Sequence, residues 1–156
     1  MYLFINKKYT NKIFNMKSKS VWKINKIVLP QNSDHAGVMW HGNYFNWLEE
    51  ARINALSEVG LNYFDLTQRG IDLPLINSSI KYIKPLYLGD KIIIESIFNI
   101  SKSPKINVNS KFLNDKKEVL TTAEVNMVLI NKDNFSIIRK RPEFLSKAFS
   151  KLNAYN

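Results

Sequence analysis

The chain has no cysteine, which removes disulfides, thiol nucleophiles and cysteine-ligated zinc from consideration. Histidine is scarce too: only His35 and His41 are present, too few for a multi-histidine metal centre, and neither a metal nor an organic cofactor is expected. No apolar run approaches the roughly 20 residues of a membrane-spanning helix. The apolar start, Met1 to Ile5, lacks the basic-then-apolar order of a signal peptide. These absences point to the cytoplasm.

Acidic residues are missing from one stretch in particular. Residues 1–26 contain seven lysines and no acid. Of the net charge of +10, this stretch holds +7 and residues 137–156 hold +4, leaving −1 for the body between them. Basicity therefore belongs to the two ends, which argues against a nucleic-acid-binding face built into the fold. A chain of 156 residues fits one domain. Residues 1–18 read as a disordered basic leader and 19–156 as the domain, with Met16 a second candidate for the start.

Hydrophobic spacing supplies the elements. Trp22 to Leu29 reads as a first strand closed by Pro30. A long helix spans about Asn43 to Glu58, where Tyr44, Trp47/Leu48, Ala51, Ala55 and Val59 recur at helical spacing. Gly60 stands where a left-handed residue would cap it. Phe45 and Ile53 add apolar residues on other faces, so the helix should be largely enclosed. A short helix, about Asn62 to Gln68, should end at Gly70. Strands follow at Leu73 to Ile83, Lys91 to Ile100, around Ile106 to Phe112, Val119 to Ile130 and Phe135 to Lys140, and a C-terminal helix at Glu143 to Leu152. Short connections imply antiparallel neighbours. The pattern alone reaches an α+β fold, a helix wrapped by a curved antiparallel sheet of five or six strands.

The chemistry concentrates between Gln31 and Tyr44, where a carboxylate, two imidazoles and two glycines occupy a loop that runs into the long helix. First-turn amides of a helix lack partners and carry partial positive charge. Such amides can polarise a carbonyl and hold its oxyanion, while a nearby carboxylate attacks the carbonyl or deprotonates water. Asp34 is the candidate carboxylate, and a turn or cap role competes with that reading.

The pattern Asp34-x-x-Gly37-Val38, then His41-x-Asn43-Tyr44, then the helical acid Glu49 resembles the 4-hydroxybenzoyl-CoA thioesterase family of hot-dog folds. The likeness is dense from Val28 to Leu61 and recurs weakly from Ser79 to Asp90. It implies an acyl-CoA thioesterase acting on an aromatic acyl group, such as hydroxybenzoyl or dihydroxynaphthoyl, or on an aliphatic one. Asp34 would be nucleophile or general base, the His41 amide would polarise the thioester, and Glu49 would assist. Gly37, Val38 and Asn43 would border the substrate, and Lys102 and Lys105 would contact the CoA phosphates, with Arg139, Lys140 and Arg141 a second candidate. The family's sites form between two subunits, so a homodimer or homotetramer is expected. An acyl carrier protein is an alternative substrate carrier, and a non-catalytic module binding an acyl ligand or nucleic acid is an alternative function. Asn32 stands where many relatives carry a second aspartate, so it offers no second acid. His35 reads as a loop residue, Glu50 as a paired or solvent-facing acid, and Trp40 and Trp47 as core or interface residues. A Glu49–Arg52 ion pair is the competing reading for Glu49.

Overall fold

Every second residue from Ile92 to Phe98 is buried, the period of a strand with one face on a core. The computed structural model describes residues 20–153, so the predicted leader lies outside the described residues. Five strands, β1 (Trp22–Ile27), β3 (Leu75–Tyr82), β4 (Lys91–Ile100), β5 (Lys105–Leu113) and β6 (Val119–Val128), form one antiparallel sheet ordered β1-β4-β5-β6-β3. Register breaks at Leu75/Asn77 and Phe112/Leu113 are bulges of the kind that bend a sheet. A small second ribbon pairs β2 (Ile71–Asp72) with β7 (Ile130–Asn131).

The long helix α1 (His41–Glu58) lays Tyr44, Trp47, Leu48, Ala51, Ala55 and Leu56 onto the sheet. They meet inward residues such as Ile94, Phe98, Phe112 and Met127. Trp47 stacks near Phe112, with ring centroids 6.3 Å apart. Burying each large apolar side chain of this kind is worth about 1.5–3 kcal/mol. Helix α2 (Tyr63–Gln68) is capped by Asn62, whose side chain accepts from the Phe64 amide. Helix α3 (Glu143–Asn153) buries Leu145, Ala148, Phe149 and Leu152. The α+β expectation, a long helix on a curved sheet of five strands, is met.

Some boundaries differ from the sequence reading. The helix starts at His41, two residues early, because its first turn is held by the preceding loop. The strand expected from Leu73 to Ile83 is broken at Pro74, which lacks an N–H for a ladder, and resumes at Leu75. Phe135 to Lys140 is not a strand. Phe135 has φ +55°, and Ile137 makes only a single bridge with Ile130. Phe45 and Ile53 are 42% and 36% exposed, so α1 is not enclosed on every side within one subunit.

Candidate active site

Two ladder-like ties hold the Gln31–Tyr44 loop in place. Val38 bridges to Tyr87 and Ser33 to Met39. The Met39 amide donates to the Leu86 carbonyl at 2.8 Å, and the Leu88 amide to Gly37 at 3.2 Å. Gly37 has φ +76°, a left-handed conformation that glycine adopts without strain. The turn it makes returns the Asp34 amide to the Val38 carbonyl at 2.8 Å. Asp34 itself is half-buried. Its Oδ1 accepts from the Ala36 amide at 2.8 Å, so one carboxylate oxygen is anchored by the turn and the carboxylate cannot swing freely.

Asn32 ties the loop to the helix. Its carbonyl accepts from the Trp40 amide at 2.8 Å and from Asn43 Nδ2 at 2.9 Å, and its side chain accepts from the Leu29 amide at 3.0 Å. The Asn32 side-chain oxygen is thus committed to a turn. Asn43 thus orients the first turn of α1, where the His41 and Gly42 amides have no partner within the helix by construction. The Trp40 ring lies across this turn, 4.9 Å from the His41 ring. A Cβ at Gly42 would fall 2.0 Å from Trp40 Cζ3, so only glycine lets the indole lie there.

Asp34, Val38 and His41 share one open cleft of about 360 Å³ with Tyr44, Tyr82 and Lys84. Tyr44 and Tyr82 meet edge to face at 4.9 Å. Tyr44 is buried, and burial pushes its hydroxyl above the usual tyrosine range. The cleft therefore offers a fixed carboxylate, the positive end of a helix and an aromatic wall. Gly37 shapes the loop without lining the cleft.

Glu49 is elsewhere. It borders a smaller cavity of about 60 Å³ with Phe45, Leu48, Arg52, Leu75 and Val108. It pairs with Arg52 Nη2 at 3.0 Å, the arrangement weighed against a functional role. Glu50 pairs with Lys26 at 2.7 Å, as its outward reading implied. Two larger grooves, about 680 and 670 Å³, hold none of Asp34, His41 and Glu49. His35 is an exposed turn residue, Trp47 is buried in the core, and Trp40 is 48% exposed.

Lys102 and Lys105 are exposed at the β4–β5 turn. The Asp34 loop is tied to Leu86 and Leu88, just before β4. Ten strand residues at about 3.3 Å each separate the two ends of β4, roughly 30 Å. Within one subunit these lysines do not reach the cleft. Arg141 donates to the Ser101 and Ser103 carbonyls of that same turn and sits over the Phe149 ring at 5.1 Å. Burial lowers its pKa from the ordinary arginine value, and its guanidinium clasps the turn.

The residue that sequence reasoning undervalued is Arg52. A signal existed, since Arg52 falls between Leu48 and Leu56 on one i, i+4 stripe of α1, where a charge interrupts an apolar row.

Comparison with known proteins gives the family and supports the fold. Residues 28–149 match the family model described as the thioesterase-like superfamily. A Synechocystis protein that bears the name esterase is 28% identical over 126 residues, covering 80% of this chain and 76% of its own length. A DHNA-CoA thioesterase from Staphylococcus aureus superposes with TM-score 0.74 at 27% identity, over 86% of this chain and 90% of its own. A 1,4-dihydroxy-2-naphthoyl-CoA thioesterase from Synechocystis gives TM-score 0.78 at 19% identity, over 85% and 98% of the two chains. The match is to the superfamily and does not single out the 4-hydroxybenzoyl-CoA family. A helix-mouth carboxylate on a hot-dog fold and a family match over most of the domain lead to one assignment: the chain belongs to the thioesterase-like superfamily.

Proposed function

We propose that this protein hydrolyses an acyl-CoA thioester in the cleft between Asp34 and the first turn of α1. The observation that carries this reading is the shared cleft itself: a turn-anchored carboxylate and His41, the first residue of α1, border the same space. The thioester oxygen lies against the His41 and Gly42 amides, which stabilise charge as it develops. Asp34 either attacks the carbonyl carbon or takes a proton from water that does so. Collapse of the tetrahedral intermediate breaks the C–S bond and releases the CoA thiolate. If Asp34 attacks, water then hydrolyses the resulting anhydride and returns the carboxylate.

Two copies complete the site. Among the described residues strand β3 ends the sheet with no neighbour on its outer edge, and Leu75, Ile76 and Tyr82 on it are 47%, 50% and 50% exposed. Antiparallel pairing of two such edges about a two-fold axis sets the Tyr82 end of one against the Leu75 end of the other. The Asp34 cleft of each subunit then adjoins the Glu49 cavity of its partner, and the exposed Phe45 and Ile53 face the facing helix. The partner's β4–β5 turn comes to the same end of the joined sheet. Its Lys102 and Lys105 lie within the span of an extended CoA arm, a few strands of about 4.8 Å away. A homodimer is thus the minimum unit.

The aromatic pair Tyr44–Tyr82 favours an aryl acyl group, the class named for the dihydroxynaphthoyl-CoA relatives. Free thiol release from a panel of aromatic and aliphatic acyl-CoAs, with acyl carrier protein thioesters beside them, tests the reading. Turnover of none of them, with salt-dependent DNA binding instead, would overturn it.

A further inference from the structure

Arg52 is the one charged side chain in the buried class among the described residues, at 4% exposure. Its guanidinium is poorly provided for. Nη2 bonds the Glu49 carboxylate at 3.0 Å, Nη1 reaches only the Met127 sulfur at 2.9 Å, and Nε has no hydrogen-bond partner. The Tyr63 ring lies 5.9 Å away, with its hydroxyl fixed by Asp72 at 2.9 Å. Glu49, by contrast, keeps its side chain 59% exposed.

Stability does not account for this pair. An i, i+3 ion pair with one partner in water contributes little, while burying a guanidinium with an orphaned N–H is costly. Apolar residues occupy the equivalent places one turn away, Leu48 and Leu56. What the arrangement achieves is asymmetric: a cation immobilised in the core holds the end of an otherwise mobile carboxylate. That carboxylate stands beside Phe45 and Leu75, where the partner's cleft is placed above.

We propose that Arg52 is a positioning residue, fixing the Glu49 carboxylate for thioester hydrolysis at the cost of core stability. This rests on the reading that Glu49 takes part in the reaction. The test measures kcat, KM and thermal midpoint for Arg52→Met and Arg52→Lys, each alone and combined with Glu49→Gln, using the acyl-CoA hydrolysed fastest. Arg52→Met should lower kcat several-fold, up to the about 10-fold loss of Glu49→Gln, because it acts through that carboxylate, with KM little changed and the midpoint equal or higher. Arg52→Lys, which keeps a cation and carries the same test should the Met variant fail to fold, should recover part of kcat. In the Glu49→Gln background neither change should lower kcat further, because the residue acted upon is gone. Full additivity of the two losses would overturn the proposal, as would an unchanged kcat with a lowered midpoint. A silent Glu49→Gln beside a damaging Asp34→Asn would instead overturn the role of Glu49 itself.

Discussion

The two edges of the sheet are finished in opposite ways. Edge strand β1 carries Lys23 on its outer face and Lys26 on its inner one, and is tied down on its flanks. Lys23 pairs with Glu95 at 2.8 Å, Lys26 with Glu50 at 2.7 Å, and Trp22 donates to the Leu152 carbonyl at 3.2 Å. Edge strand β3 is two residues longer, has Lys81 as its only charge, and is exposed along nearly its whole length. Lysines and covering elements are how natural sheets protect an edge from pairing. Among the described residues one edge of this sheet is protected and the other is left open. The candidate catalytic groups fall at the two ends of the open one, Asp34 and His41 by Tyr82 and Glu49 by Leu75. On the proposed two-fold pairing, assembly and chemistry would share this edge.

The largest effect should come from the acid at the Tyr82 end. Asp34→Asn should lower turnover by at least ~10², the low end for a positioned acid–base group. The fold should persist, since asparagine can accept from the Ala36 amide as aspartate does. Thiol release and a thermal melt on the same sample separate the two effects, and near-normal turnover would remove Asp34 from the mechanism.

The contrast between the edges can be broken directly. Ser78→Glu with Ser79→Glu places acids mid-strand, where any antiparallel two-fold pairing brings them within a few residues of their own copies. Like charges so placed cost several kcal/mol across an interface, so the dimer should dissociate and turnover should fall about 10-fold or more at low protein concentration. Asn25→Glu on β1 should change neither. Light scattering after gel filtration reads the first outcome, and thioesterase activity against dilution reads the second.

Much of this was legible in the sequence, and the exceptions have physical causes. β4 and α1 were readable because each buries a face at its own period. The Asp34 loop was readable because glycine, carboxylate and helix start fall together, a local arrangement. Four things were not. Phe135 to Lys140 reads as a strand, but Phe135 at φ +55° spends its backbone on a turn. Pro74 cuts a run that otherwise looks continuous. Arg52 is charged yet buried, and a pattern of apolar positions passes over it. The openness of β3 is a tertiary property: exposure depends on which strand ends up last in the sheet, and composition does not reveal that order. The hot-dog identification itself came from the motif, whereas patterning reached only α+β.

At the Leu75 end the expected effect is smaller. Glu49→Gln should lower kcat about 10-fold while the dimer persists, because the carboxylate assists without reacting. Dissociation into monomers with normal activity per folded chain would make the Arg52 pair purely structural. Smaller again is the effect at the β4–β5 turn. Lys102→Ala with Lys105→Ala should raise KM for acyl-CoA several-fold and leave kcat nearly unchanged, since phosphate contacts are similar in ground and transition states. A thioester of a short pantetheine-like thiol should be unaffected, and added salt should shrink the wild-type advantage. Equal losses for both substrates would place these lysines in a structural role.

The central claim is that each site takes Asp34 from one subunit and Glu49 from the other. Mixing Asp34→Asn and Glu49→Gln dimers, unfolding them together and refolding tests it most directly. In a mixed dimer one site carries both changes and the other carries neither. Random reassortment makes half the dimers mixed, so activity should rise to about a quarter of wild type, well above the mean of the two parents. If Asp34 and Glu49 serve the same site from one chain, every site in the mixture is damaged, and activity will stay at that mean.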